Sequence, residues 1–260
     1  MNNKKKEKEK ENEKDKNSKR ISLVTGSTQG VGLSIAEKLG FEGDKIIISS
    51  RKEENSYRAE ERLVISNVDY DYFMCDFDNS LQRKELANYI KRIYGKLDTL
   101  ILCVQTIPYF GDLMDISEKE YSKIYSTNIK NNFFTIMDFL SLLKNGSDAC
   151  IVLLGSNSVF FPNPFEANFS LSKSVFLSLT KLLAKELSLF KIRVNCVCPG
   201  FMKTKLTISI VDNKYHLRNF LKRDSLPHET AALCAFLTNK DSSFINGECI
   251  LINGGANGRL

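Results

Sequence analysis

The chain has 260 residues, 42% of them hydrophobic, with a mean hydropathy of −0.22, so it can bury one sizeable α/β core or two small ones. No apolar run approaches the eighteen or so residues that span a bilayer, which argues against a membrane partner. Of the formal charge of +6, a net +4 falls in residues 1–20. The opening "MNNKKKEKEKENEKDKNSKR" has no apolar residue after Met1, so residues 1–19 are expected to be a disordered tail. Its interleaved acids weaken any attraction to phosphate, so no nucleic-acid partner is expected. The tail lacks the apolar stretch of a signal peptide.

In chain order, "RISLVTG" (20–26) reads as a strand ending in glycine and 30–41 as a helix. "DKIIISS" (44–50) is a second strand, 52–65 a charged helical stretch, and "DYFMC" (71–75) a third strand. Residues 79–94 read as a helix and "LDTLILCV" (97–104) as a fourth strand. A long helix over about 117–143 precedes a fifth strand, "ACIVLLGS" (149–156). Another long helix (about 167–190) precedes a sixth, "IRVNCVCPG" (192–200). A looser polar segment (203–226), a helix after Pro227 and a last strand in "GECILINGG" (247–255) complete the chain. Near-continuous Ile/Leu/Val runs are strands buried on both faces. Alternation with longer helices predicts a Rossmann-like doubly wound parallel sheet of about seven strands. No linker splits residues 20–260, which form one domain.

The seven cysteines contain no C-x-x-C pair and no metal-ligand spacing with the two histidines. They read as small core residues in a reducing compartment, and no metal site is expected.

"VTGSTQGVG" (24–32) follows the first strand and opens the first helix. In that position Gly26 permits a tight turn, Gly30 a close approach by a ligand, and Gly32 close packing of the helix. The free N–H groups at the helix start then face a pyrophosphate, with Ser27 and Thr28 as added hydroxyls. The second strand ends in "SSRK" (49–52), where an acidic residue would take a ribose 2′-hydroxyl. Ser50, Arg51 and Lys52 stand there instead, and a guanidinium suits a 2′-phosphate, so NADP(H) is the expected cofactor.

Three further segments complete a pattern. Thr25, Gly26, Gly30 and Gly32 combine with Asn128 in "STNIK"; Ser156 precedes position 169 by thirteen residues and Lys173 follows it by four; "RVNCVCPG" is trailed by "MKT". Together they resemble the short-chain dehydrogenase/reductase family over residues 20 to 260. "SSRKEEN", "PYFGDLMDISEKEY" and "SSFINGE" resemble most its NADP-dependent carbonyl reductases and retinol dehydrogenases of the dehydrogenase/reductase member-four type. The resemblance implies a homodimer or homotetramer acting on a small-molecule carbonyl or alcohol. Asp76 and Phe77 would border the adenine, Val31 and Cys103 the cofactor, and Pro199, Gly200 and Thr204 the carboxamide. Lys173 would hold the nicotinamide ribose, Ser156 the substrate oxygen and Asn128 a water of the proton relay. The terminal Gly258-Arg259-Leu260 is near a peroxisomal signal, leaving cytoplasm or peroxisome as the expected location.

Two departures stand out. Phe169 occupies the place of the family's catalytic tyrosine in "NFSLSK", within the substrate pocket. Leu102-Cys103-Val104-Gln105 replaces the family's Asn-Asn-Ala-Gly, with larger side chains along the cofactor. Ser170 and Ser172 lie one and three steps along the helix from Phe169, on other faces; Ser158 and Tyr109 are loop hydroxyls that could reach inward. Two readings remain open: a working NADP(H)-dependent oxidoreductase, or a catalytically impaired relative that serves as a cofactor-binding or assembly subunit.

Overall fold

The computed structural model describes residues 19–106, 111–162, 164–202 and 219–256. The charged tail, Tyr109, Thr204, most of the polar segment after the sixth strand and the C-terminal tripeptide lie outside the described residues.

Seven parallel strands form one sheet in the order β3-β2-β1-β4-β5-β6-β7. They are β1 (Ile21–Val24), β2 (Lys45–Ser50), β3 (Tyr70–Met74), β4 (Thr99–Leu102), β5 (Cys150–Leu154), β6 (Arg193–Pro199) and β7 (Cys249–Ile252). The order reverses between β1 and β4, so the loops after them part and leave a crevice at the strand ends. The register is continuous across the centre: Leu23 faces Ile47 on one side and Leu100 on the other.

Among the described residues the α-helices are α1 (Gly30–Phe41), α2 (Tyr57–Ile65), α3 (Ser80–Ile93), α4 (Glu118–Tyr125), α5 (Asn131–Leu143), α6 (Ala167–Leu187) and α7 (Pro227–Thr238). Leu33, Ile35 and Leu39 of α1, Leu63 of α2 and Cys234 of α7 pack with Val24, Ile46 and Ile48 on one face of the sheet. Leu86 of α3, Phe139 of α5 and Phe176 of α6 pack with Leu23, Leu100 and Ile151 on the other. A strand buried on both faces has no polar side, which explains the unbroken Ile/Leu/Val runs.

The helix expected over 117–143 is interrupted. Ser117 caps α4 through a reciprocal capping box with Glu120, and a π turn (Ser126–Lys130) joins α4 to α5. The wide turn inserts an extra residue and turns Asn128 inward, where it is fully buried. Periodicity alone does not register one inserted residue in a long apolar pattern.

The outer faces of α5 and α6 carry apolar side chains. Phe133, Phe134 and Met137 on α5, with Leu171, Val175 and Leu182 on α6, are exposed. Ile124 of α4, by contrast, is buried.

Candidate active site

The first strand-to-helix turn presents bare backbone at the start of α1. Gly26 and Gly30 adopt φ of +62° and +58°, where a side chain would be strained. A Cβ on Gly32 would stand 2.4 Å from the Gly26 carbonyl oxygen, so only glycine lets α1 start so close to the turn. At Gly30, by contrast, no atom of the described residues lies within 4 Å of the place a Cβ would take, so that side of the turn is open among them. Gln29 makes no capping bond and the first turn of α1 holds no acid, leaving its N–H groups free to face a pyrophosphate. Ser27 is spent structurally: its N–H donates to Ser49 O at 3.2 Å and its Oγ accepts from Ser49 N at 2.9 Å. Thr28 and Val31 flank the same turn.

At the end of β2, Ser50 is buried and its Oγ donates to Lys52 O, which shapes the turn. Arg51 is exposed, and among the described residues no carboxylate pairs with it. At the end of β3, Asp76 accepts Asp78 N–H on its Oδ1 at 3.1 Å, and Phe77 is buried beside it.

The substituted segment 102–105 fits the strand end without disrupting it. Thr25 Oγ1 accepts from both Cys103 N (2.9 Å) and Val104 N (3.3 Å), tying β4 to β1. Val104 packs against Gly26, its Cγ2 3.4 Å from the place a Gly26 Cβ would take. Cys103 is buried, and burial pushes its thiol up to about 12. At the far side, Gly200 N donates to Ile252 O, and a Cβ on Gly200 would stand 3.0 Å from the Cα of Asn253, whose Nδ2 donates to Asn157 Oδ1 at 2.9 Å. The glycine turn is thus open at Gly30 and closed by Val104 at Gly26.

The proton-transfer end is different. Phe169 sits in the first turn of α6 and is 8% exposed. Lys173, one turn on, is 1% exposed; its Nζ donates to Leu154 O at 2.9 Å and lies 4.7 Å from the Phe176 ring centroid. Burial pushes its ammonium down to about 8, slightly opposed by the thiols of Cys196, Cys103 and Cys198. Asn128 accepts Thr106 N on Oδ1, donates from Nδ2 to Ser172 Oγ at 2.9 Å, and its carbonyl accepts Asn132 Nδ2 at 2.7 Å. Ser172 donates its own proton to Phe169 O. Ser156, half-buried, donates to Ser158 Oγ at 3.1 Å.

Asn128 and Phe169–Lys173 are thereby brought together through Ser172, with Ser156 at the mouth of β5. Ser172 does meet the site, but as a strut between α6 and the π turn whose proton is already committed. Sequence reasoning missed Asn132 and Asp78. Asn132 stands four residues after Asn128, the spacing at which a side chain reaches back to a helical carbonyl, and that is the one signal that could have found it. Among the described residues no group of three or more His, Cys, Asp or Glu is arranged to hold a metal ion.

A doubly wound parallel sheet with a glycine turn at its first β–α junction and a Ser/Asn/Lys set at the crevice defines a dinucleotide-binding oxidoreductase fold. Similarity to known proteins narrows this: residues 26–257 match the family model described as Enoyl-(Acyl carrier protein) reductase. The chain belongs to the short-chain dehydrogenase/reductase family. It is similar to tropinone reductase-like 3 of Erythroxylum coca, 34% identical over 93% of this chain and 94% of that one. Dehydrogenase/reductase SDR family member 4 of Oryctolagus cuniculus is 31% identical over 94% and 95% of the two chains. Among solved structures, a single-substitution variant of actinorhodin polyketide ketoreductase with NADPH superposes with a TM-score of 0.86 at 26% identity, covering 92% and 98%.

Proposed function

We propose that the chain binds NADP(H) and interconverts a small carbonyl compound and its alcohol. Exposed Arg51, unpaired among the described residues, stands beyond β2 and carries the cofactor choice, because a guanidinium favours a 2′-phosphate. The cofactor, when bound, supplies or accepts the hydride. Ser156 would hold the substrate oxygen, Pro199 and Gly200 would border the carboxamide, and Lys173 would serve the ribose if its bond to Leu154 O is exchanged. The exposed faces of α5 and α6 support a homodimer or homotetramer, and seven unpaired thiols suit a reducing compartment such as the cytoplasm.

A second reading, a catalytically impaired cofactor-binding subunit, is favoured by one set of contacts. Phe169 has no proton, Lys173 Nζ is turned to Leu154 O, and the Asn128 carbonyl is taken by Asn132. Positioned acid catalysis is worth roughly 10²–10⁴-fold, and a phenyl ring supplies none of it.

One experiment separates the readings. NADPH titration comes first; absence of binding to both wild type and Phe169→Tyr removes the cofactor assignment. Reduction of a panel of aldehydes and diketones follows. Turnover by wild type equal to that of the tyrosine variant sinks the impaired reading, and turnover by the variant alone supports it.

A further inference from the structure

The loop after β3 and the π turn are far apart in sequence and joined by a polar bridge that the reaction chemistry does not require. Asp78 lies two residues past Asp76. Its carboxylate accepts Asn131 Nδ2 through Oδ1 and Thr127 Oγ1 at 3.4 Å from each oxygen. Thr127 and Asn131 are 7% and 4% exposed, so their polar groups need partners inside the protein, and Asp78 supplies them. On the loop side, Asp78 N–H donates to Asp76 Oδ1 and Asn79 N–H donates to Asp76 O. The chain of bonds therefore runs from the Asp76 carboxylate through Asp78 to residues on either side of Asn128. A second brace runs in parallel: buried Arg83 of α3 donates from Nη1 to Phe77 O at 2.7 Å and from Nε to Asp138 of α5 at 2.8 Å.

We propose that Asp78 is a positioning residue that ties the loop bearing Asp76 to the π turn, so that a ligand held at Asp76 is felt at Asn128. A π turn has wider, weaker backbone bonds than an α-helix and tolerates adjustment, which makes it the compliant partner. Asp76 has one carboxylate oxygen engaged by Asp78 N–H. A donor on an adenine edge that engages this carboxylate shifts the same group that orients Asp78. The ligand part of this inference rests on the NADP(H) reading, whereas the bridge itself does not.

Hydrogen–deuterium exchange on the full-length protein tests both parts. Without ligand, Asp78→Ala speeds exchange across 126–132 by roughly three- to tenfold, the net effect of losing about one ordinary hydrogen bond. Asp78→Asn, which keeps a carbonyl oxygen for Asn131, retains most of the protection. In the reciprocal direction, Asn131→Leu speeds exchange in 76–79. Unchanged exchange at 126–132 in Asp78→Ala, or a uniform rise that includes β5 and β6, overturns the bridge.

With adenosine 2′,5′-bisphosphate, which has no nicotinamide, wild type gains protection at both 26–32 and 126–132. Asp78→Ala gains it at 26–32 alone. Equal protection of 126–132 in both proteins overturns the coupling. If wild type does not bind this probe, the NADP(H) reading and the ligand coupling both fall, and the ligand-free comparison still decides the bridge.

Discussion

Lys173 lies over the face of Phe169, its Nζ 5.5 Å from the ring centroid, with no carboxylate beside it among the described residues. A phenyl face gives an ammonium a weak electrostatic partner and no proton acceptor. The buried amine is thus stabilised by one carbonyl and two rings, and its protonation state bears directly on folding.

The effect has a definite sign. Lys173 falls to about 8 in the folded protein against 10.5 when free, so between these values the unfolded chain binds the extra proton. Stability contributed by this residue rises with pH from about 8 to 10.5 and is flat below. The full span is on the order of 3 kcal/mol. Urea unfolding of wild type and Lys173→Met from about neutral pH upward should show the gap between them shifting in favour of wild type as pH rises. A gap independent of pH would mean the amine is not desolvated.

Arg51→Asp should weaken NADPH binding by about tenfold or more, because it replaces an attraction to phosphate with a repulsion. NADH binding should hold or improve. Fluorescence titration of both nucleotides reads the preference directly, and equal losses for the two would reject Arg51 as the discriminating residue.

Gly32→Ala should be far more damaging than its one methyl group suggests. The Cβ would stand 2.4 Å from the Gly26 carbonyl oxygen, and the nearest atoms are backbone. Overpacking costs roughly 1–3 kcal/mol, and the turn must open to relieve it. Thermal melting should fall and nucleotide binding with it. Gly43→Ala serves as the control: its Cβ meets nothing within 4 Å, so only the strain of its φ of +102° is read.

Arg83→Met should cost about 3–5 kcal/mol in urea unfolding, since it strands the Asp138 carboxylate in the interior. Their side chains are only 6% and 13% exposed. Adding Asp138→Leu should recover much of the loss, as an apolar pair needs no compensating charge. Failure of the second change to recover anything would mean that the bond to Phe77 O is what matters.

The sheet was legible because both its faces are covered: strands such as "IIIS" and "IVLL" leave no polar alternation to mislead. Gly26, Gly30 and Gly32 were readable for a related reason, since their backbone roles exclude other residues. The π turn was hidden, because apolar spacing in Ile124, Ile136 and Phe139 runs through it without a visible break. The strut made by Ser172 is invisible to helical rotation from Phe169 alone. Its partner, Asn128, approaches from another element, and a helical wheel holds no information about what stands opposite. Asp78 and Asn131 are separated by 53 residues, and only the fold makes them neighbours.

All seven cysteines are unpaired and buried. Six of them are divided between the layers: Cys75, Cys196, Cys198 and Cys249 lie on the side of α3, α5 and α6, while Cys103 and Cys234 lie on the side of α1, α2 and α7. The molecule therefore carries a built-in gauge of which half loosens first. An alkylating reagent applied in mild denaturant, followed by peptide mass mapping, would record the order in which the two layers breathe without adding any foreign probe.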